Sequence, residues 1–169
     1  MHADEIKPIG GAELAAEIGA ISADHLGAAT NAGIKAMREA NVIATLLPGT
    51  IFSLGMTSYA RARYMIDADL PITIATDYNP GSCNCDNMQM IITLATLQMK
   101  MTTAEAITAA TINPAYSLEM GDKVGSIEVG KKADILILNM PSYQFLPYHF
   151  GSNNVETVIK NGRIIWSDH

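Results

Sequence analysis

The amino-acid sequence predicts an α/β protein in which repeated strand–helix units are followed by a β-rich tail. Short apolar runs alternate with helical patterns over the first part of the chain, which is typical of βα units and a parallel sheet. After Gly125 the helical spacing gives way to β-rich segments. A closed barrel of eight βα units takes about 250 residues, so we expect the 169 residues to form only part of one.

The elements can be placed from their cap and turn residues. Gly19 stops the first helix, Thr30 caps the second, and Pro48-Gly49 closes a buried strand. Thr102 and Glu105 form the pattern of a capping box. We expect helices over residues 10–18, 30–40, 58–66, 86–100 and 102–113, and strands over residues 21–25, 42–47 and 70–76.

The tail is predicted to form β-strands. The stretches SIEVGKKADILILN and VETVIKNGRIIWSD are β-rich, and Asn161-Gly162 is a strong signal for a two-residue hairpin. We therefore expect two domains, an α/β part over residues 1–120 and a small β appendage over residues 121–169.

Composition excludes several classes of function. The net charge of -6 and the scattered Lys and Arg residues argue against nucleic-acid binding. No apolar stretch approaches the roughly 20 residues that cross a bilayer, and no signal peptide is visible. Cys83 and Cys85 are spaced too closely for an ordinary disulfide and lack a second pair for zinc. We expect both to be reduced and the protein to be cytoplasmic.

Candidate catalytic residues follow strand ends, because the carboxyl ends of parallel strands meet at one edge of a sheet. His2 offers a nitrogen for a divalent metal ion. Asp77 offers a carboxylate that can bind the same ion or act catalytically by taking a proton from metal-bound water. Glu5 is suited to general acid–base work and His25 to stabilising an oxyanion. We expect His2, His25 and Asp77 to converge around one ion, although a catalytic zinc usually has three protein ligands and one histidine is unaccounted for.

Each candidate also has a purely structural interpretation. His2 could be a terminal residue without a role, Asp77 could cap the helix after its strand, and Asp24-His25 could simply end a strand. We expect His149 and His169 to have surface or structural roles.

Several motifs resemble those of the imidazolonepropionase family of the amidohydrolase superfamily. They are HADE, GGAELAAEIGAISADHL, LLPG, ATDYNPGS, TTAEAITAATINPAYSL and GSIEVGKKADILIL. HADE and ATDYNPGS are specific to that family, whereas the last stretch is shared widely among amidohydrolases. The resemblance runs from residue 1 to residue 169 and implies the back part of a TIM-like (β/α)8 metal-dependent hydrolase barrel, followed by strands of a small β-sandwich domain.

The resemblance also implies a reaction and roles for individual residues. It implies hydrolysis of 4-imidazolone-5-propanoate to N-formimidoyl-glutamate in histidine degradation, with one zinc or iron ion. His2 and Asp77 are similar to metal ligands, and Glu5 and His25 to the groups that move protons and stabilise the ring carbonyl. The loop residues Asn79, Gly81 and Ser82, together with Glu5, are similar to substrate contacts.

One departure from the family is large. The family's first barrel strand carries a His-x-His pair that completes the metal site, and this sequence contains no such pair. We therefore expect a chain that begins at the third metal-ligand histidine, binds metal weakly and is inactive alone. An open sheet edge, a low charged fraction and ten methionines predict self-association or pairing with an N-terminal half.

Two other classes compete with this interpretation. A nucleobase deaminase of the same superfamily would share Asp77, the helices and the tail. A non-catalytic assembly module derived from a barrel would share the fold without the chemistry.

Overall fold

The α/β part of the molecule is built on a four-stranded parallel sheet. The computed structural model describes residues 1–168, so His169 lies outside the described residues. The strands are β1 (His2–Ala3), β2 (Ser22–His25), β3 (Ile43–Leu46) and β4 (Ile72–Ile74). They pair in sequence order, β1-β2-β3-β4, as successive strands do in the wall of a βα barrel.

Seven helices connect or follow these strands within the described residues. They are α1 (Gly11–Glu17), α2 (Asn31–Glu39), α3 (Pro48–Ser53), α4 (Ala62–Asp67), α5 (Met88–Leu97), α6 (Thr103–Ala110) and α7 (Ile112–Ser117). The Thr30 hydroxyl accepts a hydrogen bond from the Gly33 amide and caps α2. Thr102 and Glu105 form the expected capping box at the start of α6. Both predicted caps are confirmed.

The helix expected over residues 58–66 begins only at Ala62, and the one expected over residues 86–100 is shorter, Met88–Leu97. Proline explains two further differences. Pro48 was expected to begin a turn, but it occupies the first position of α3, where its missing N–H costs nothing. Pro114 was expected to end a helix, but it lies in the first turn of α7. The chain breaks at Thr111 and restarts, because proline is tolerated in a first turn but not in a helix interior.

The sheet has one well-buried face and one partly covered face. Ala23, Ala44 and Leu46 are fully buried, and they alternate along β2 and β3 with half-exposed neighbours. Successive strand residues point to opposite faces, so the buried set forms one side of the core. Helix α1 packs on β1 and β2, α2 packs on β3, and α4 to α7 contact β4.

The tail forms a separate antiparallel sheet. Its strands are β5 (Ile135–Leu138), β6 (Val155–Lys160) and β7 (Arg163–Ser167), and the short helix α8 (Phe145–Tyr148) precedes β6. Asn161 and Gly162 have positive φ angles of 49° and 75° between β6 and β7, so the predicted hairpin is confirmed. The described residues place this sheet in a single layer, and its pairing into a sandwich stays a prediction.

One strand that was expected in the tail is absent from its described residues. Residues 126–129 were expected to be extended within a β-rich stretch, but no strand forms there. Ile127 and Val129 are strongly exposed, and the Ser126 hydroxyl donates instead to the Glu128 carboxylate. A strand needs a hydrogen-bonded neighbour, which this segment lacks.

Two negative expectations concern the membrane and the cysteines. None of the helices in the described part of the chain combines the length and apolar character that crossing a bilayer requires. Cys83 and Cys85 are both free thiols, as the sequence predicted.

Candidate active site

Polar side chains collect along the carboxyl-end edge of the parallel sheet. His2 lies in β1, His25 is the last residue of β2, and Asp77 follows β4 by three residues. His2 pairs in register with Asp24, and Ala3 with His25. The parallel order of the strands therefore brings residues that are distant in sequence to one edge.

His2 and His25 are in direct contact. His2 Nδ1 lies 2.7 Å from His25 Nε2, and the ring centroids are 4.9 Å apart. His25 has a positive φ of 72°, which ends the strand's alternation and lets the ring reach His2. One nitrogen of this pair must donate and the other accept, and His2 Nε2 remains outside the contact. His2 is therefore a terminal residue with a side-chain partner, and its functional role stays a prediction.

Glu5 extends this contact on the other side of His25. Its Oε1 lies 3.7 Å from His25 Nδ1. If His2 Nδ1 donates to His25 Nε2, His25 carries its proton on Nδ1, facing the Glu5 carboxylate. A cavity of about 10 Å³ is lined by both side chains, which is room for about one water molecule. The result is a continuous polar chain, Glu5–His25–His2.

The carboxylate beside Glu5 has a structural role. Asp4 is buried and accepts hydrogen bonds from the backbone amides of Ile9, Gly11 and Ala12, at 2.8 to 3.0 Å. Burial alone would raise the Asp4 pKa, but the backbone amides at the start of α1 outweigh it and lower the pKa. HADE therefore contains one carboxylate that caps a helix and one that faces His25.

Asp77 is oriented by a residue outside its own loop. Its Oδ2 accepts a hydrogen bond from the hydroxyl of Thr50 in α3, and its φ is 52°. Asp77 does not cap the next helix, because Asn87 does so by accepting from the amides of Gln89 and Met90. The capping interpretation of Asp77 is wrong.

The loop after Asp77 is folded by its own side chains. Asn79 Oδ1 accepts from the amides of Gly81 and Ser82, each at 2.8 Å. Asn79 Nδ2 donates to the Asp77 carbonyl oxygen at 2.7 Å and to Ser82 Oγ at 3.0 Å. Because the Asn79 amide is fully used within the loop, its expected substrate contact stays a prediction.

The expectation of three side chains around one ion is not met. Among residues 1–168, no group of three His, Cys, Asp or Glu side chains is placed to hold a metal ion. The His25 ring is bonded to His2, and the Asp77 carboxylate is bonded to Thr50. His2 Nε2 and the Asp77 carboxylate have the chemistry of metal ligands, and their role as ligands stays a prediction.

The remaining histidine of the described tail lies away from this edge. The His149 ring is exposed and lies 5.0 Å from the ring of Phe145, centroid to centroid. This agrees with its expected surface role.

Sequence reasoning missed two residues of this region. Thr50 lies in α3, a helix that no signal in the sequence predicted, so no pattern pointed to it. Asp4 precedes an α1 whose own cap position, Gly10, provides no side-chain hydrogen bond. The position of a carboxylate before an uncapped helix was the only signal for the role of Asp4.

The ordered parallel sheet with polar side chains at its carboxyl-end edge is the arrangement of a partial βα-barrel enzyme. A family model described as the amidohydrolase family matches residues 12–165, and the chain belongs to that family.

Among curated proteins, the chain is similar to imidazolonepropionases. The chain is 54% identical over 165 residues to the imidazolonepropionase of Alkaliphilus oremlandii, covering 98% of this chain and 39% of the relative. It is 55% identical over 168 residues to the imidazolonepropionase of Porphyromonas gingivalis, covering 99% and 40%. The chain thus spans about two fifths of the length of these relatives.

Solved structures support the same fold. An adenosine deaminase from Xanthomonas campestris with bound zinc matches with a TM-score of 0.81 at 23% identity, over 96% of this chain and 44% of that one. A mutant atrazine chlorohydrolase from Arthrobacter aurescens, complexed with zinc and atraton, matches with a TM-score of 0.77 at 20% identity, over 86% and 36%. The fold is part of an amidohydrolase barrel with additional strands, as the sequence predicted.

Proposed function

We propose that this chain supplies one side of an imidazolonepropionase site, which hydrolyses 4-imidazolone-5-propanoate to N-formimidoyl-glutamate. The observation that carries the proposal is the continuous Glu5–His25–His2 contact. It joins HADE to the ISADH part of GGAELAAEIGAISADHL, two stretches on which the sequence resembles the imidazolonepropionase family. The identity of 54% to 55% with imidazolonepropionases supports the substrate class.

A metal ion fits part of this arrangement. His2 Nε2 and the Asp77 carboxylate would hold it, and zinc and iron are both compatible with a nitrogen and an oxygen ligand. When bound, such an ion supplies Lewis acidity toward water and the ring carbonyl. These two residues make an incomplete site, so we propose that the chain by itself binds metal weakly.

The chain's own residues divide the proton chemistry between them. Glu5 is half-exposed and positioned to exchange a proton with a reacting group. His25 is buried and contacts both Glu5 and His2, so it can orient His2 and stabilise negative charge on the ring oxygen. Gly81 and Ser82 lie in the loop that follows Asp77, where both are bonded to Asn79, and the Ser82 hydroxyl offers a contact to a polar ring.

The proposal includes a partner and a location. The partly covered sheet face and the incomplete site support association with an N-terminal barrel half or with a second copy. The two free thiols support a cytoplasmic location, where the reaction would serve histidine degradation.

A hybrid enzyme tests the proposal. This chain replaces the matching two fifths of the Porphyromonas gingivalis imidazolonepropionase, and turnover of 4-imidazolone-5-propanoate is measured. We expect the hybrid to be active, Glu5→Gln to lower kcat by about 100-fold or more, and the 169-residue chain alone to show no turnover.

Two results would overturn the proposal. A folded, metal-loaded hybrid that leaves the substrate intact would support the assembly-module alternative. A hybrid that deaminates guanine or cytosine instead would support the nucleobase deaminase alternative.

Asp122→Ala is the matched control for Glu5→Gln, because Asp122 is exposed and distant in sequence from the site motifs.

A further inference from the structure

The Asp77 carboxylate is held by a helix that belongs to a different βα unit. Thr50 lies in α3, which follows β3, and the residue is completely buried. Its hydroxyl donates to Asp77 Oδ2. Within the described residues, no hydrogen bond to Asp77 Oδ1 is found, so the two carboxylate oxygens have different environments.

The loop itself controls only the backbone of Asp77. Asn79 Nδ2 donates to the Asp77 carbonyl oxygen at 2.7 Å, and this contact supports the left-handed backbone at φ 52°. This contact does not act on the side-chain torsions. The Thr50 hydroxyl is therefore the group that selects the orientation of the carboxylate.

The close packing of α3 against this loop depends on Gly49. A Cβ at this position would lie 2.9 Å from Cys83 Sγ and 3.2 Å from the carbonyl oxygen of Thr76. Cys83 Sγ donates to that same carbonyl oxygen at 3.1 Å. Glycine therefore lets the start of α3 approach the segment that carries Asp77, which brings the next residue, Thr50, within reach of the carboxylate.

We propose that Thr50 is a positioning residue for Asp77. It holds Oδ2 and leaves Oδ1 without a hydrogen bond from the described residues, available for the task of Asp77. The segment Pro48-Gly49-Thr50 thus belongs to the site, although Thr50 touches no substrate. The proposed function enters this inference only through the catalytic role that it assigns to Asp77.

The test measures the side-chain orientation of Asp77 directly. In isotopically labelled 169-residue chain, three-bond couplings from the Asp77 carboxyl carbon to its backbone nitrogen and carbonyl carbon report the rotamer. We expect one rotamer in the wild type and in Thr50→Ser, which keeps the hydroxyl. In Thr50→Val, the ratio of this rotamer to the others should fall about tenfold, because a hydrogen bond to a charged group is lost.

A matched control separates positioning from folding. Thr93→Val removes another buried threonine hydroxyl, which donates to the Gln89 carbonyl oxygen within α5, and should leave the Asp77 couplings unchanged. If Thr50→Val does not fold, Asp77→Ala provides the second variant. The Thr50 hydroxyl proton should be protected from solvent exchange in the wild type and should lose that protection in Asp77→Ala.

Two outcomes would overturn the inference. They are unchanged Asp77 couplings in folded Thr50→Val, or equal protection of the Thr50 hydroxyl with and without the Asp77 carboxylate. Neither measurement needs turnover. An inactive hybrid enzyme would thus reject the proposed function, whereas unchanged couplings would reject only the role of Thr50.

Discussion

At the scale of single residues, the site edge combines strained backbone with strong side-chain anchors. Asp4, His25 and Asp77 have positive φ angles of 44°, 72° and 52°, a conformation that costs about 1 to 2 kcal/mol for a residue with a Cβ. Asp4 is anchored by backbone amides of α1, His25 by His2, and Asp77 by the Thr50 hydroxyl. The anchors offset the strain and fix where each side chain points.

The first prediction concerns Asp4. Asp4→Ala should lower the free energy of unfolding at pH 7 by about 2 to 4 kcal/mol, because it leaves buried amides of α1 without an acceptor. Asp4→Asn should cost less, since one acceptor oxygen remains. Urea unfolding followed by circular dichroism measures both.

The lowered Asp4 pKa also sets the sign of the pH dependence. The ionised Asp4 carboxylate stabilises the folded state above the ordinary pKa of an aspartate. This stabilisation is lost as the pH falls through the lowered pKa of Asp4 in the folded state. Stability should therefore fall less steeply with acid in Asp4→Asn than in the wild type. Superimposable pH profiles would contradict the assigned role, and the exposed Asp122→Ala serves as control.

At the scale of elements, helix ends and interhelical contacts fix how units pack around β4. Glu105 closes the capping box of α6 and also accepts two hydrogen bonds from Arg63 in α4, each at 3.0 Å. The Arg63 hydrogen bonds, with help from the Thr102 amide and against partial burial, lower the Glu105 pKa to about 2. One carboxylate therefore both caps a helix and links it to its neighbour.

The second prediction concerns this link. Glu105→Gln should lower the urea midpoint by a constant amount above about pH 4.5, and the difference from the wild type should vanish as the pH approaches 2. The sign follows because a lowered pKa stabilises the folded state only while the carboxylate is ionised. Urea titrations between pH 2 and pH 7 measure the difference.

The control uses an exposed pair on one helix. Lys35 and Glu39 are four residues apart on α2, and Lys35 Nζ lies 3.8 Å from Glu39 Oε1. Such exposed ion pairs contribute little to the stability of the folded state. Glu39→Gln should therefore leave the midpoint nearly unchanged. An equal effect of both substitutions would show that the Arg63 contact does not contribute specifically.

At the scale of the whole molecule, the two sheets differ in how well they are covered. The β5–β7 sheet exposes apolar residues on both faces, since the neighbours Leu136 and Ile137 are both exposed, as are Ile164 and Ile165. Its connection to the α/β part runs through α8, where Leu146 is buried in the main core, and through the contact of Gln89 with Asn154. The proposed boundary near residue 120 therefore separates units that remain in contact.

The third prediction tests this division. Trp166 is the single tryptophan of the chain and lies in β7, so its fluorescence reports the tail alone. We expect its urea transition to precede the loss of helical circular dichroism, because the small sheet buries little apolar surface. Leu146→Ala should widen the separation, and coincident transitions in the wild type would contradict the proposed division.

Much of the fold follows from local sequence. The caps at Thr30 and Thr102 and the Asn161-Gly162 hairpin depend on contacts within a few residues, and the structure confirms all three. Two of the local errors, at Pro48 and Pro114, arose because proline begins helices as readily as it ends them.

The candidate site could be predicted only in part. Strand ends and the family motifs indicated His2, Glu5, His25 and Asp77 as candidates. The hydrogen bond between Thr50 and Asp77 joins different βα units, and no periodicity in the sequence encodes it. The capping role of Asp4 likewise depends on where α1 folds back relative to β1.

By itself, the sequence determined the family, the order of most elements and the chemical groups available at the strand ends, because these depend on local backbone preference and on residue type. Only the tertiary structure decided which of those groups meet. Strand order and register join His2 to His25 and keep β3 between β2 and β4, while the approach of α3 at Gly49 gives Asp77 its partner. Contacts between strands are set by packing over the whole sheet, which short-range patterns in a single chain do not specify.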